Sequence, residues 1–181
     1  VRDGSVVKGI NFKGLRNAGA PGALARRYNE EGIDEIVILD VTATLEKRKA
    51  LADTISEVAQ EIFLPLCVGG GIRDEQHAEA AIEAGADKVS LNTAAIAQPE
   101  LVTTLARRYG SQAVIVAIDA KQVGDRFRIY VRSGQKKTDR DAIEWARKDL
   151  PSDRISRKWA TGLARAIFSK QSLILQRRWR K

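Results

Sequence analysis

Four short apolar runs divide the first 120 residues, separated by segments whose apolar positions recur every three to four residues. Runs that stay apolar at successive positions are typical of strands buried on both faces of a parallel sheet. The intervening period is that of an amphipathic helix. We therefore predict strands at residues 34–41, 64–68, 88–93 and 113–120, and helices at residues 23–32, 45–62, 74–84 and 99–108.

The regular alternation of strand and helix predicts the class of fold. Each strand–helix unit takes about 25 to 30 residues with no antiparallel turn between units, which indicates a parallel sheet with right-handed crossovers. Residues 1–8 add the tail of one earlier strand, a turn at Asp3-Gly4 and a short return strand. The α/β fold class follows, with about five βα units in residues 1–149.

Two segments depart from this alternation. Residues 9–22 carry Gly14, Gly19, Pro21 and Gly22 and are predicted to form a long loop, either a lid over a site or an exposed connector. Residues 127–132 alternate with period two, which predicts a small hairpin inserted after the last parallel strand. Residues 141–148 begin another helix, and beyond residue 149 no further buried strand is found.

The composition fits one domain with a real core, since 44% of the 181 residues are hydrophobic. No apolar run approaches the ~20 residues that a membrane span needs. Cys67 is the only cysteine, so no internal disulfide forms, which fits a reducing compartment such as the cytoplasm. Because the chain has no methionine and its strand-like pattern starts at Val1, we expect the native start to lie upstream.

The net charge of +8 is confined to the end of the chain. Residues 150–181 contain nine Lys and Arg and one acid, so residues 1–149 are neutral overall. Basic and aromatic residues interleave in this tail, which superficially suits nucleic acid. A disordered or frame-shifted tail is favoured instead, because the strand–helix pattern stops where the charge begins. We therefore predict no nucleic-acid partner.

The candidate chemistry lies at the predicted carboxyl ends of the strands. Gly69, Gly70 and Gly71 end one strand and Asp74 opens a helix, which leaves bare backbone amides beside a helix N-terminus. Such amides form an anion site, although a tight turn with no ligand is the alternative. Asn92 and Thr93 end the next strand, and this second set of polar residues favours phosphate.

Other polar residues fall at less informative positions. Asp40 and Asp119 each lie near the end of a predicted strand. His77, the only histidine, follows Glu75 and Gln76 on a predicted helix and has no cysteine or second histidine nearby, so we predict a surface residue. No metal site and no cofactor are predicted.

The motifs resemble a known family, the cyclase subunit of imidazole glycerol phosphate synthase, an enzyme of histidine biosynthesis. The resemblance covers residues 1 to about 148. It is carried by five stretches, Asp3-Gly-Ser-Val-Val-Lys-Gly-Ile-Asn-Phe12, Leu39-Asp-Val-Thr-Ala43, Val68-Gly-Gly-Gly-Ile-Arg73, Ala86-Asp-Lys-Val-Ser-Leu-Asn-Thr-Ala94, and Gly110-Ser-Gln-Ala-Val114 through Ile118-Asp-Ala-Lys121. The sister isomerase of the pathway shares the Gly-Gly-Gly-Ile-Arg run, and an inactive half-barrel module is the other alternative.

This resemblance implies a (β/α)₈ barrel that converts a bis-phosphorylated aminoimidazole carboxamide ribonucleotide, with ammonia from a partner glutaminase, into imidazole glycerol phosphate and an aminoimidazole carboxamide ribonucleotide. Asp119 matches one of two catalytic aspartates. Five further residues match other parts of the family's machinery: Gly71, Asn92 and Thr93 match a phosphate site, Lys8 a lysine at the base of a mobile loop, and Glu35 with Lys88 the amino-terminal face where the glutaminase docks.

The chain also departs from the family's pattern. The other catalytic aspartate falls immediately before the position of Val1, and strands six to eight have no counterpart after Asp149. A complete barrel takes ~250 residues. The sequence therefore predicts a partial (β/α) barrel at residues 1–149, followed by the basic tail at residues 150–181.

Overall fold

The computed structural model describes residues 1–10, 13–41, 48–132 and 134–148. The predicted tail at residues 150–181 and the predicted first turn of the second long helix, including Leu45, lie outside the described residues. The chain divides into two compact units, which are treated separately below. The first comprises residues 1–91 and 105–115, and the second comprises residues 92–104 and the described residues from 116 onward.

The secondary structure alternates as the apolar pattern predicts over most of the first unit. The strands are β1 Val6–Ile10, β2 Lys13–Gly19, β3 Ile36–Leu39, β4 Leu66–Gly69, β5 Lys88–Leu91, β6 Val114–Val116, β7 Asp119–Val123, β8 Arg126–Val131 and β9 Lys136–Asp141. The helices are α1 Pro21–Glu30, α2 Arg48–Glu61, α3 Glu75–Glu83, α4 Thr93–Ala97, α5 Pro99–Tyr109 and α6 Ala142–Lys148.

A four-stranded sheet in the order β3-β4-β5-β6 forms the centre of the first unit. Strands β3, β4 and β5 pair in parallel, with Ile36 opposite Leu66 and Cys67 opposite Lys88. Val1 extends this arrangement, because its amide nitrogen lies 2.5 Å from the Leu39 oxygen and its oxygen accepts from Val41 at 3.1 Å. Residue 1 is thus placed beside β3, as predicted for the tail of a strand.

The helices of the first unit cover this sheet with their apolar faces. Ile55 and Val58 of α2, Ala78 of α3 and Leu105 of α5 are each at most 1% exposed. Helix α3 begins where its sequence predicts, since the Asp74 side chain accepts a hydrogen bond from the His77 amide at 3.0 Å. No helix within the described ranges combines the length and apolarity that a membrane crossing needs.

The predicted loop at residues 9–22 is wrong. Strands β1 and β2 form an antiparallel hairpin, and α1 begins at Pro21, directly after it. Glycines were taken as loop signals, but Gly14 lies inside β2 and Gly19 ends that strand at a φ of +128°. Neither a lid nor a connector is therefore formed by this segment as a whole.

The second unit is built on an antiparallel sheet in the order β7-β8-β9, which is larger than the predicted hairpin. Trp145 of α6 and Ile129 of β8 are its most buried large side chains. The predicted strands at residues 88–93 and 113–120 are both too long, because β5 ends at Leu91 and β6 ends at Val116. A short helix, α4, replaces the end of the first, and β7 takes the end of the second.

Candidate active site

The glycine turn after β4 has a backbone that only glycine adopts readily. Gly70 and Gly71 have successive positive φ angles of +86° and +72°. A Cβ placed on Gly70 would lie 2.1 Å from the Asp40 backbone oxygen, so this turn packs directly against the end of β3. The Asp40 amide also donates to the Gly69 oxygen at 2.9 Å. Gly70 is therefore required by packing, whereas Gly71 is the predicted phosphate residue.

A cavity of about 60 Å³ lies beside this turn in the first unit. Its wall includes Asp40, Gly71, Arg73 and His77, together with apolar residues of α2 and α3. The prediction that His77 is a surface residue is wrong, because its side chain is only 12% exposed and its Nδ1 lies 2.7 Å from an Asp74 oxygen. Its polar sequence neighbours gave no sign that residue 77 turns inward from the helix cap.

Asn92 and Asp119 meet in the second unit. The Asn92 Nδ2 donates to the Asp119 Oδ2 at 3.3 Å and to the Ala117 oxygen at 3.1 Å. Asp119 is the first residue of β7 and follows β6 by three positions, so it does not lie within the predicted long strand. Two residues that are 27 positions apart in sequence are thereby held in contact, as their shared location at strand ends predicted.

Burial shapes the acidity of the Asp119 carboxyl group. Desolvation raises its pKa above the ordinary value, while the hydrogen bond from Asn92 and the positive charge of Lys121 oppose this effect. The Lys121 ammonium lies 4.5 Å from the centre of the Tyr130 ring and donates to the Gly134 oxygen at 3.4 Å. Asp119 is therefore a half-buried acid whose proton affinity exceeds that of an exposed aspartate.

The helical turn that carries Thr93 is fixed by the antiparallel sheet. The backbone amide of Arg132 donates to the Thr93 Oγ1 at 3.1 Å, and the Arg140 guanidinium donates to the Ile96 oxygen at 2.9 Å. Thr93 in turn donates to the Asn92 Oδ1 at 3.2 Å. Sequence analysis missed Arg132 and Arg140, and no local pattern marks them, since their partners are 39 and 44 residues away.

Glu35 and Lys88 form an ion pair at the amino-terminal ends of neighbouring parallel segments. The Lys88 Nζ lies 2.7 Å from the Glu35 Oε1, and both side chains are about one quarter exposed. Cys67 lies opposite Lys88 in the register and is buried. Burial, and secondarily the negative charge of Glu35, raises the pKa of the Cys67 thiol to about 12, although Lys88 opposes the shift.

Lys8 lies on β1 of the first unit and is exposed, with Arg16 of β2 as its cross-strand partner. Of the predicted residues, the structure thus brings Asn92, Thr93 and Asp119 together, and it separately pairs Glu35 with Lys88. Within the described residues no group of three or more His, Cys, Asp or Glu is arranged to hold a metal ion.

Comparison with known proteins follows the same boundaries. Three relatives carry the name imidazole glycerol phosphate synthase subunit HisF. Those of Chlorobium phaeovibrioides and Prosthecochloris aestuarii are 52% and 54% identical to the chain over 148 residues. That of Alkaliphilus metalliredigens is 50% identical over 149 residues. Each alignment covers 82% of this chain and 59% of the relative, so the chain spans less than two thirds of their length.

The profile of the family described as "Histidine biosynthesis protein" matches residues 1–153. This family has the (β/α)₈ barrel fold, and the parallel strand–helix units of the first unit are part of such a barrel. The match includes every predicted site residue and ends close to the point where the strand–helix pattern stops. On this evidence the chain belongs to the histidine biosynthesis protein family.

Proposed function

We propose that the chain is the larger part of a cyclase subunit of imidazole glycerol phosphate synthase. The reaction uses ammonia to convert a bis-phosphorylated aminoimidazole carboxamide ribonucleotide into imidazole glycerol phosphate and an aminoimidazole carboxamide ribonucleotide. A glutaminase partner supplies the ammonia, and the protein works in the cytoplasm. The contact between Asn92 and the half-buried Asp119 is the single observation that carries this proposal.

Asp119 is the proposed general acid and base. Its raised pKa makes the carboxylate a stronger base than an exposed aspartate, which suits proton transfer during imine formation and ring closure. Because Asn92 holds the Oδ2 atom, we assign proton exchange to the Oδ1 atom. A positioned group of this kind contributes ~10²–10⁴-fold to the rate.

Asn92, Thr93 and Gly71 are the proposed ligands of one substrate phosphate. The Thr93 hydroxyl accepts from the Arg132 amide, so its oxygen is fixed while its proton is directed at Asn92. A phosphate oxygen can replace the Asn92 oxygen as the acceptor of that proton. The positive φ of Gly71 leaves its amide uncovered by any side chain, as close approach of a phosphate requires.

Glu35 and Lys88 are the proposed contact with the glutaminase and the gate for ammonia. Their 2.7 Å ion pair is only about one quarter exposed. Breaking it would leave two partly desolvated charges, so a partner that offers each charge a new contact can open the pair at lower cost. Lys8 is proposed to contact the substrate from the β1–β2 hairpin.

The deciding experiment uses a chimera in which the Chlorobium phaeovibrioides relative supplies the segments before Val1 and after residue 148. Ammonia-dependent consumption of the ribonucleotide is measured for the chimera and for its Asp119→Asn variant. We expect kcat to fall by about 10²–10⁴-fold while the substrate affinity changes by only a few-fold.

The matched control is Asp125→Asn, which removes an exposed aspartate from the same unit and should leave kcat unchanged. If the Asp119→Asn chimera keeps more than about a tenth of the parent activity, Asp119 is not the general acid and base. The proposal then fails at its central residue, whatever the rest of the site binds.

A further inference from the structure

The β1–β2 hairpin places two positive charges directly opposite each other. Lys8 and Arg16 are cross-strand partners in the antiparallel register, and both side chains are exposed. Directly opposite residues project from the same face with Cβ atoms about 4.5–5.5 Å apart, and like charges at such positions destabilise the pairing. In the absence of a ligand, this pair therefore weakens the hairpin that holds it.

Other cations in the first unit are compensated. Arg26 pairs with Glu61 at 2.6 Å, and Lys88 pairs with Glu35 at 2.7 Å. Within the described part of the chain, by contrast, neither Lys8 nor Arg16 takes part in a salt bridge. The hairpin therefore holds two adjacent positive charges that no acid in this part of the chain neutralises.

The strand pairing is also irregular on both sides of this pair. The register shifts between Val6 and Val7, and again between Lys8 and Ile10. Bulges of this kind re-aim side chains and recur next to binding sites. The backbone thus departs from regular pairing on either side of the two cations.

We propose that Lys8 and Arg16 together form a phosphate-binding site, with a phosphate monoester dianion as the ligand class. A dianion between the two side chains converts their repulsion into two attractive contacts. The Arg16 guanidinium supplies paired donors that match phosphate oxygens, and the Lys8 ammonium adds a compact charge. This assigns a binding role to Arg16, and only the identification of the phosphate with the cyclase substrate rests on the proposed function.

The test is hydrogen exchange of the full chain, followed in the segment of residues 4–20 with inorganic phosphate as the probe. In phosphate-free buffer, Arg16→Gln should slow exchange of the hairpin amides by about two- to fivefold, because it removes the repulsion. In the parent, 10 mM phosphate at constant ionic strength should slow exchange at least about threefold, which corresponds to a Kd of about 5 mM or lower.

In the Arg16→Gln protein the phosphate effect should fall below about 1.5-fold, whereas Arg16→Lys should keep most of it. The matched control is Arg107→Gln, which removes one exposed positive charge from α5 of the same unit and should change neither measurement. Lys8→Gln should reproduce both effects of Arg16→Gln, and it replaces that variant if Arg16→Gln does not fold.

Equal phosphate protection in the parent and in the glutamine variants overturns the inference, as does faster hairpin exchange after either substitution in phosphate-free buffer. No phosphate effect in the parent also overturns it. These results are independent of the cyclase assay, since a large loss of kcat in Asp119→Asn together with an unresponsive hairpin would sink only the Lys8–Arg16 site.

Discussion

Substituting Gly70 by alanine should unfold the turn on which the proposed phosphate site depends. The new Cβ would lie 2.1 Å from the backbone oxygen of Asp40 and 2.7 Å from its nitrogen. Neither atom is at the end of a flexible side chain, so β3 and β4 must separate at this point. That separation breaks the 2.9 Å hydrogen bond between the Asp40 amide and the Gly69 oxygen.

Three costs add up at Gly70. The φ of +86° costs a residue with a side chain about 1–2 kcal/mol. The lost hydrogen bond costs about 0.5–1.5 kcal/mol. Displacing packed backbone adds about 1–3 kcal/mol, the usual effect of overpacking a core. The free energy of unfolding should therefore fall by about 3–6 kcal/mol, a large part of the ~5–15 kcal/mol that holds a domain together.

Gly32→Ala is the matched control for this prediction. Gly32 has a φ of +76° in the same unit, and a Cβ there would meet no atom within 4 Å. It should therefore lose only the backbone cost of about 1–2 kcal/mol. Urea unfolding followed by far-ultraviolet circular dichroism measures both variants, and equal midpoints for Gly70→Ala and Gly32→Ala would refute the packing argument.

Three further predictions concern titration and contacts. The Cys67 thiol, with a pKa of about 12, should resist a maleimide at pH 8 until urea unfolds the chain, and Glu35→Gln should lower that pKa in a thiol titration. Asp119→Asn should be more stable than the parent at pH 7.5, because the folded parent binds the Asp119 proton more tightly and loses stability as the pH rises through the raised pKa. That advantage should shrink as the pH falls towards 3.8, as urea midpoints at pH 7.5 and 4.5 will test. Thr93→Val should weaken substrate affinity in the chimera, since it removes the acceptor of the Arg132 amide, and unchanged affinity would separate Thr93 from the phosphate site.

The parallel part of the fold was predictable because each buried strand has a continuous apolar signature. Helix α5 was predicted at residues 99–108 and spans Pro99–Tyr109, and α3 begins at its predicted cap, Asp74. The hairpin at β1–β2 was not predictable in this way, because an exposed hairpin rich in glycine and polar residues has the composition of a loop. Its strands are visible only through their pairing.

The change from parallel to antiparallel pairing near Asp119 was hidden for a related reason. The apolar run continues through Ile118, so nothing in its periodicity marks the end of β6 at Val116. Sequence placed Asn92 and Asp119 at one edge because both follow buried strands. It could not place Arg140, whose contact with Ile96 depends on how a sheet folds back over 44 residues.

Several residues proposed for function are costly to the fold in ways that other polar residues are not. Asp119 is a half-buried carboxyl whose raised pKa marks an unfavourable environment for its charge. Asn92 has a φ of −118° and a ψ of −88°, outside the regular helical and extended regions. Lys8 faces Arg16 without a compensating acid in the described residues, whereas Lys88 has Glu35. A sequence selected only for stability would replace each of these groups at little cost, as Asp119→Asn should demonstrate. Their coexistence is best explained by one charged ligand whose binding offsets all three penalties, which is why phosphate, and not the fold, should be what stabilises these residues.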